Sequence, residues 1–302
     1  MKAIQFSEYG ASDVLRVVDA PEPHAGPDQI RIRVEASGVN GLDWKIRAGD
    51  MKDAIPLDLP AGAGFDAAGI VDEIGDGVTD VQVGDAVFGQ GSATLAEFAV
   101  LDSWAVRPPL LGAEEAAGFP VPVETAIRIL RILGLRRGQR LLVSGAAGGV
   151  GSALVQIAKD RGLEVIGTAS ERNQDYLVGL GAIATTYGDG LVSRVRALSP
   201  DGVDGAADIA GSGVIPELIE LTGAPSQVVS IADFDAPKYG AQITSGSGSM
   251  KDALVEAARL SAEGKLSLEV ERAFRLKDAA QAQDASASGH VRGRLVVVVA
   301  AD

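Results

Sequence analysis

A glycine-rich turn between an apolar segment and an amphipathic one is the part of this sequence best suited to binding chemistry. Residues 140–144 are largely apolar, as in a parallel strand covered on both faces. From Val150 to Ala158 apolar side chains recur at helical spacing, Gly162 stands where that helix should end, and residues 164–168 predict a second strand. Such a unit directs backbone N–H groups and the positive end of a helix dipole at one point. The pattern therefore predicts a site for the pyrophosphate of a dinucleotide.

The glycine spacing in this turn departs from the Gly-x-Gly-x-x-Gly pattern at one position. Ala146 stands at the first glycine position, whereas Gly148 and Gly151 stand at the second and third. Those two glycines permit close approach of a phosphate and close packing of the helix on the strand. A small-residue turn that binds nothing is the alternative, and the strand–turn–helix–strand context argues against it.

The end of the second strand indicates which dinucleotide is bound. A carboxylate there would accept a hydrogen bond from a ribose 2′-hydroxyl and repel a 2′-phosphate. This chain instead has Ser170, a small donor, and Arg172, whose guanidinium suits phosphate. Glu171 is the contrary residue, although an acid is also favoured at the start of the next helix. The alternative is that Arg172 is an ordinary solvent-exposed charge on a helix. On balance, the sequence favours NADPH over NADH.

Composition excludes several classes of protein. The chain has 302 residues, enough for two domains, and 46% of them are hydrophobic. Its net charge of -14 argues against nucleic acid or an anionic membrane as a partner, and no apolar run approaches the roughly 20 residues of a membrane span. The absence of cysteine excludes disulfides, thiolate metal sites and cysteine nucleophiles. Strand-like alternation starts directly after Met1 with no signal peptide, so we expect a cytoplasmic protein.

The hydrophobic rhythm changes near residue 123. The earlier part contains short alternating segments separated by glycine and aspartate turns, which suggests a small β-barrel. The later part alternates helical and strand-like segments, which implies a parallel, doubly wound sheet. The segments predicted as helices are 176–180, 191–198, 214–222 and 250–262, and those predicted as strands are 3–6, 29–36, 69–75, 83–89, 96–100, 182–187, 203–209, 227–231 and 295–299.

Five segments together resemble the medium-chain dehydrogenase/reductase superfamily, and within it the zinc-free quinone oxidoreductase branch of zeta-crystallin-like proteins. They are residues 38–49, 64–69, 83–89, 146–151 and 289–294. The resemblance implies an α/β protein with two domains. Residues 1–122 and 250–302 would form a GroES-like β-barrel catalytic domain, and residues 123–249 a Rossmann domain whose doubly wound parallel sheet binds NADPH.

The resemblance also bears on metal binding. The zinc-dependent branch has a cysteine within the segment 38–40 and a His-Glu pair where this chain has Phe65 and Asp66. Asn40 and Phe65 therefore remove two ligands. Asp66 and Asp43 are the only candidate ligands here, without a thiolate or imidazole beside them. We expect no metal.

Without a Lewis acid, the resemblance implies reduction of an already electrophilic substrate, a quinone or an α,β-unsaturated carbonyl. Asn40 would lie near the nicotinamide. Lys45 stands where relatives often have tyrosine and is the candidate proton donor, with an ordinary ion-paired lysine as the alternative. The remaining residues carried over by resemblance are Thr125 beneath the nicotinamide, Gly148, Gly149 and Val150 at the pyrophosphate, Ser170, Arg172 and Tyr187 around the 2′-phosphate, and Gly211 and Ile231 bordering the cofactor.

Two further functions remain open at this stage. One is an enoyl-thioester reductase of polyketide or fatty-acid type, and the other is a non-enzymatic NADPH-binding protein. The expected partners are a small-molecule substrate and a second copy of the chain. Family members commonly pair edge strands of their nucleotide domains, and residues 227–231 with 241–244 offer apolar edge material.

Overall fold

The computed structural model describes residues 1–244, 246 and 250–299. The chain divides into two compact units. One unit is built from both chain ends, Met1–Val121 and Ser249–Asp302, and the other from Pro122–Gly248.

The described residues form strands and helices in the following order along the chain. The strands are β1 (Lys2–Phe6), β2 (Arg16–Asp19), β3 (Ile30–Val39), β4 (Ala61–Gly62), β5 (Asp66–Ile74), β6 (Ala86–Ser92), β7 (Phe98–Val106), β8 (Arg140–Ser144), β9 (Glu164–Ala169), β10 (Ile183–Thr186), β11 (Gly205–Asp208), β12 (Val228–Ser230), β13 (Gln242–Ile243), β14 (Val270–Arg275) and β15 (Arg294–Val298). The α-helices are α1 (Gly41–Ala48), α2 (Ala113–Ala117), α3 (Pro120–Leu133), α4 (Gly149–Asp160), α5 (Gln174–Gly179), α6 (Leu191–Leu198), α7 (Ile215–Thr222), α8 (Met250–Ala262) and α9 (Ala279–Ala287).

The unit made from both chain ends is a small antiparallel barrel closed around β3. This strand pairs with β5, β5 continues through β6 to β7, and β7 pairs back onto β3. Alternate side chains of β3, Ile30, Ile32 and Val34, are buried in the core. The C-terminal strand β15 pairs antiparallel with the other part of β3. The predicted barrel is confirmed.

The other unit is a six-stranded parallel sheet in the order β10-β9-β8-β11-β12-β13. Numbered within the unit, this order is the 3-2-1-4-5-6 arrangement of dinucleotide-binding folds. The central strand β8 carries Leu141, Leu142 and Val143, all fully buried, as the apolar run predicted. The direction of winding reverses between β8 and β11, and ligands bind at such a reversal. The predicted Rossmann architecture is confirmed.

One detail of the predicted sheet edge is wrong. The sequence predicts the segment 227–231 at the edge, but β12 lies inside the sheet between β11 and β13, and its three residues are buried. The edge strand is β13, whose residues Gln242 and Ile243 are exposed. A short apolar segment suits an inner strand as well as an edge strand. Its composition indicates that the strand is buried but does not indicate which strands lie beside it.

No helix within the described ranges is long and apolar enough to cross a bilayer.

The junction between β8 and α4 is held by a contact that only glycine permits. A Cβ on Gly151 would overlap the carbonyl oxygen of Gly145 and would lie 2.6 Å from the Cα of Ala146. These are backbone atoms, which cannot rotate away as a flexible side chain can. Gly151 therefore brings the first turn of α4 directly onto the turn that follows β8, as the third glycine of the motif predicts.

We predict that Gly151→Ala lowers the free energy of unfolding by about 1–3 kcal/mol, because the added methyl group must displace backbone. Gly179→Ala is the matched control, since Gly179 is also helical and a Cβ there meets nothing within 4 Å. The control should leave stability unchanged or raise it slightly, as alanine is the better helix former. Urea denaturation of both variants checks this, and equal stabilities would contradict the contact.

Candidate active site

The carboxyl ends of the parallel strands lie in register along one edge of the sheet. Ser144 at the end of β8 is the register partner of Thr168 on one side and of Asp208 on the other. The alignment continues outward from Thr168 to Thr185 of β10 and from Asp208 to Ser230 of β12. The predicted cofactor residues Gly148, Gly149, Val150, Ser170, Arg172, Tyr187, Gly211 and Ile231 all belong to segments that follow these ends. The sheet thus brings eight of the predicted residues to the side where its strands have their carboxyl ends.

The turn after β8 assigns its glycines differently from the sequence motif at one position. The tight turn is made by Gly145, whose φ of 83° lies in the left-handed region. Ala146 is fully buried, and its methyl group lies against β9 at Gly167, where a Cβ would come within 2.9 Å of it. The missing first glycine is therefore supplied one residue earlier.

The start of helix α4 has uncapped N–H groups and open space beside them, which suits a phosphate group. The N-cap residue is Gly148, and among the described residues no side chain caps this helix start. The first N–H groups of an α-helix have no partner within the helix. A Cβ on Gly148 would meet nothing closer than the carbonyl oxygen of Gly145 at 3.9 Å, so the space above it is open. Gly148, Gly149 and Val150 therefore fit the pyrophosphate of a dinucleotide.

The residues predicted to recognise the adenosine end lie on neighbouring strands. Ser170 directly follows β9 and Tyr187 directly follows β10, and the last residues of these strands are register partners. Arg172 lies on the 3₁₀ turn Glu171–Asn173 and is exposed, as is Tyr187. Glu171 begins that turn, consistent with its predicted role at a helix start. A hydroxyl, a guanidinium and a phenol are thus placed at one corner of the sheet edge.

Thr125 is held by a buried ion pair on its own helix. Arg128 binds Glu124 through Nε at 2.9 Å and Nη2 at 3.1 Å, and both side chains are at least nine-tenths buried. Arg128 Nη2 also donates to Thr125 Oγ1 at 3.3 Å. Because the oxygen accepts from the guanidinium, the hydroxyl hydrogen of Thr125 remains available as a donor.

The predicted catalytic residue Asn40 belongs to the barrel unit, where it precedes α1. Its Nδ2 donates to Asp66 Oδ2 at 2.9 Å, and its Oδ1 accepts from Arg294 Nη2 at 3.0 Å. Its backbone N–H donates to Asp43 Oδ2 at 2.8 Å. The amide oxygen faces a cation and the amide nitrogen faces a carboxylate, so only one orientation of the amide satisfies both contacts. We call Asn40, Asp43, Asp66 and Arg294 the buried quartet.

Burial determines the protonation chemistry of the quartet. Desolvation raises the pKa of Asp43 to about 7, against the opposing hydrogen bond from Asn40. Desolvation also raises the pKa of Asp66 to about 6, although the positive charge of Arg294 acts in the opposite direction. Within the described part of the chain, Oδ1 of each carboxyl group has no hydrogen-bond partner. One guanidinium therefore faces two carboxyl groups, and burial favours the protonated form of both.

Lys45 lies on α1, one turn beyond Asn40, and is partly buried. Its Nζ is 5.5 Å from the centre of the Trp44 ring, within cation–π range.

Several residues that shape the site have no local motif. Arg294 is separated from Asn40 by 254 positions, and nothing in the sequence around either residue indicates the pairing. Arg128 could have been found from its i,i+4 spacing to Glu124. Asp208 and Ser230 end two buried strands, which was the one available signal for them.

No group of three or more His, Cys, Asp or Glu side chains within the ranges that the structure describes could hold a metal ion.

Comparison with known families supports the same reading of both units. Residues 26–117 match the family model of the alcohol dehydrogenase GroES-like domain, and residues 180–297 match that of zinc-binding dehydrogenase. A chloroplastic quinone-oxidoreductase homolog from Spinacia oleracea is 33% identical over 256 residues, which cover 77% of this chain and 78% of that protein.

Two further matches come from other organisms. An NADPH-dependent alkenal/one oxidoreductase from Arabidopsis thaliana is 34% identical over 197 residues, covering 60% of this chain and 51% of that protein. The structure of a quinone oxidoreductase from Coxiella burnetii covers 99% of both chains with a TM-score of 0.86 and 31% identity.

A GroES-like barrel together with a Rossmann sheet defines the oxidoreductase class of proteins that bind a nicotinamide dinucleotide. The chain belongs to the medium-chain dehydrogenase/reductase superfamily, in its quinone oxidoreductase branch. The family predicted from the sequence is confirmed.

We predict that Asp43 makes the protein less stable as the pH rises. Because burial raises the pKa of Asp43 from its usual value near 4 to about 7, the folded state holds this proton to higher pH than the unfolded state. Its stabilising contribution is complete below about pH 4 and is lost as the pH rises through about 7. Asp43→Asn keeps an acceptor for the Asn40 N–H, so its stability relative to wild type should increase between pH 5 and pH 8.

Urea denaturation at the two pH values measures this difference, with Asp50→Asn as an exposed control on the same segment of chain. A difference between Asp43→Asn and wild type that does not change with pH would contradict the buried proton.

Proposed function

We infer that this protein is an NADPH-dependent reductase that transfers hydride to a quinone or to the β-carbon of an α,β-unsaturated carbonyl, without a metal ion. The observation that carries the proposal is the open start of α4 at its N-cap Gly148. This helix start follows β8, whose last residue, Ser144, is in register with Thr168 and Asp208 of the neighbouring strands. The names of the relatives from spinach, Arabidopsis and Coxiella support this class of substrate.

The chain's own residues account for binding of the cofactor. The N–H groups at the start of α4 bind the pyrophosphate, and the positive end of the helix dipole stabilises its charge. Ser170, Arg172 and Tyr187 surround the 2′-phosphate, and Thr125, Gly211 and Ile231 border the nicotinamide half. When bound, the reduced nicotinamide supplies the hydride.

The proposed independence from zinc rests on the residues that stand at the ligand positions of the zinc branch. The Asn40 amide is a neutral group already bound to Asp66 and Arg294. The Asp66 carboxylate faces the guanidinium of Arg294 at 3.7 Å, so a fixed cation already lies beside it. Phe65 offers no ligand atom. This donor set does not suit zinc, which prefers sulfur and imidazole ligands.

A substrate that is already electrophilic matches a site without a Lewis acid. A quinone or an enone accepts hydride readily, so orientation by the protein contributes most of what catalysis requires. We propose that the second amide hydrogen of Asn40, which Asp66 does not accept, orients a polar group of the cofactor or substrate. We also propose that Lys45 supplies the proton that follows the hydride. A simple alcohol would need deprotonation by a metal or a strong base, and the proposal excludes it as a substrate.

Cofactor choice gives the first prediction from this proposal. Arg172→Ala should weaken NADPH binding about ten- to a hundredfold, because a guanidinium hydrogen-bonds strongly to phosphate, and should barely change NADH binding. Arg196→Ala is the control, since Arg196 is an exposed arginine of the same unit that pairs with Glu220 on α7. Titration with both cofactors measures the effect. Equal affinities of the wild type for NADPH and NADH would refute the assignment.

We also propose a homodimer formed through the β13 edge of the parallel sheet. The edge is short, Ile243 is 36% exposed, and Phe234 and Tyr239 on the preceding loop are more than half exposed. A lysine at an edge opposes strand pairing, so Ile243→Lys should give a monomer by light scattering. Ile183→Lys on β10, the opposite edge, should remain dimeric. A monomeric wild type at micromolar concentration would overturn this assembly.

The reaction is tested by following NADPH oxidation with quinones, enones, enals and enoyl thioesters. We expect turnover with the first three, no loss of rate after treatment with a strong chelator, and no oxidation of simple alcohols with NADP⁺. Lys45→Met should lower the rate by about 10²–10⁴-fold if Lys45 is the general acid. Preference for thioesters would favour an enoyl-thioester reductase. Binding of NADPH without turnover on any substrate would leave a non-enzymatic NADPH-binding protein.

A further inference from the structure

A buried carboxylate and a buried hydroxyl join the ends of two neighbouring strands in the Pro122–Gly248 unit. Asp208 ends β11, Ser230 ends β12, and the two residues are register partners with no exposed surface. Ser230 Oγ donates to Asp208 Oδ2 at 2.8 Å. Burying such a polar pair is unfavourable unless its atoms are hydrogen-bonded.

The pair also accepts hydrogen bonds from backbone N–H groups in two loops, the one that follows β11 and the one that follows β12. Asp208 Oδ1 accepts from the N–H of Gly211 at 3.0 Å. Ser230 Oγ accepts from the N–H of Ala232 at 3.1 Å and of Asp233 at 2.9 Å. A hydroxyl has one hydrogen and two lone pairs, so the Ser230 hydroxyl is saturated. Two side chains therefore fix three backbone N–H groups.

The two loops also pack directly on one another. Gly211 has a φ of 66°, which favours glycine, and a Cβ there would lie 2.9 Å from the Cβ of Ala232. The loops follow adjacent strands at the edge where a doubly wound sheet binds its ligand. They carry Gly211 and Ile231, which the family resemblance assigns to the cofactor.

The hydrogen bonds continue from Ser230 to Thr125, which the family resemblance places beneath the nicotinamide. The carbonyl oxygen of Ser230 accepts from the N–H of Thr244 at 3.1 Å. Thr244 Oγ1 accepts from Arg128 Nη1 at 2.7 Å, and Arg128 also donates to Thr125. The N–H of Ile231 donates to the carbonyl oxygen of Asp208 at 3.1 Å. One hydrogen-bond network thus reaches Thr125, Gly211 and Ile231, which lie on three separate elements.

We propose that Asp208 and Ser230 are positioning residues that hold the loops at Gly211 and Ile231 in the shape that binds the nicotinamide half of the cofactor. The proposal rests on the function inferred above. The pair touches no cofactor itself. It restricts the loops before the cofactor arrives, which removes an ordering cost from binding.

Ser230→Ala tests the role, because it removes the oxygen that binds Asp208, Ala232 and Asp233 at once. Ser199→Ala is the matched control. Ser199 is equally buried, accepts from Arg140 Nη1 at 3.0 Å and donates to the carbonyl oxygen of Gly202. Arg140 begins β8, so Ser199 lies toward the amino ends of the same sheet.

Asp208→Asn is a second variant that keeps the size of the side chain. The carboxylate accepts hydrogen bonds on both oxygens, whereas an amide accepts on one side and donates on the other. Either orientation of the amide places its NH₂ group against the Gly211 N–H or against the saturated hydroxyl of Ser230. The variant therefore loses either the hydrogen bond to the Gly211 N–H or the bond between the two side chains that orients the Ser230 hydroxyl.

Two measurements are made on each protein: amide hydrogen exchange without cofactor, and titration with NADPH. In Ser230→Ala the amides of Ala232 and Asp233 should exchange about tenfold faster or more, and the Kd for NADPH should rise about tenfold. Asp208→Asn should accelerate exchange at Gly211 or at Ala232 and Asp233. Ser199→Ala should lose stability while its loop exchange and Kd stay at wild-type values.

Three results would overturn the proposal. One is wild-type exchange at these amides in both Ser230→Ala and Asp208→Asn. Another is an equal rise in Kd for Ser230→Ala and Ser199→Ala, which would show a loss of stability alone. Failure of the wild type to bind any nicotinamide dinucleotide would overturn the proposed function, and this role with it. The exchange data would still show whether the pair holds the loops.

Discussion

The contact between Gly151 and the backbone of residues 145–146 is the constraint on which the cofactor site depends. It determines where α4 begins relative to the end of β8, and so where the free N–H groups of the helix point. The register of the parallel sheet then places Thr168, Thr185, Asp208 and Ser230 in one row with Ser144, at or next to the ends of their strands. A shift of α4 away from the turn would leave the loops after β9, β11 and β12 in place but would move the helix start proposed to bind the pyrophosphate.

The two units hold charge in different ways. With a net charge of -14, the chain's overall field opposes a phosphorylated ligand, so binding must come from short-range donors. In the cofactor site proposed for the parallel-sheet unit, these donors would be backbone N–H groups and Arg172. In the barrel unit the charge is internal, with Arg294 among the carboxyl groups of Asp43 and Asp66. Such buried ions specify one arrangement of Asn40, since its amide must satisfy both a cation and an anion.

The sequence predicts the elements of this fold better than it predicts their neighbours. The bounds of β8, α6 and α8 agree with the structure, because each has a strong local pattern of apolar residues. The motif places its first glycine position at Ala146, whereas the structure makes the tight turn one residue earlier, at Gly145. Two adjacent small residues leave the sequence motif ambiguous at this point. The inner position of β12 was missed because strand order is not written in any one segment.

The residues of the candidate site also differ in how far the sequence predicts them. The glycines and Arg172 follow from motif spacing, and Asn40 and Lys45 follow from family resemblance. The contacts of Arg294 with Asn40 and of Ser230 with Asp208 join residues that are 254 and 22 positions apart, so no short window of sequence contains both members of either contact. Their burial as polar residues is visible only once the strands are paired.

The most direct test of a metal-free hydride transfer follows the transferred hydrogen itself. The protein is incubated with an enone and NADPH that carries deuterium at C4 of the nicotinamide, in separate samples for the two C4 epimers. The account predicts deuterium on the β-carbon of the reduced product from one epimer only, in chelator-treated protein. A product whose β-carbon carries only solvent hydrogen, or transfer that requires added zinc, would contradict it.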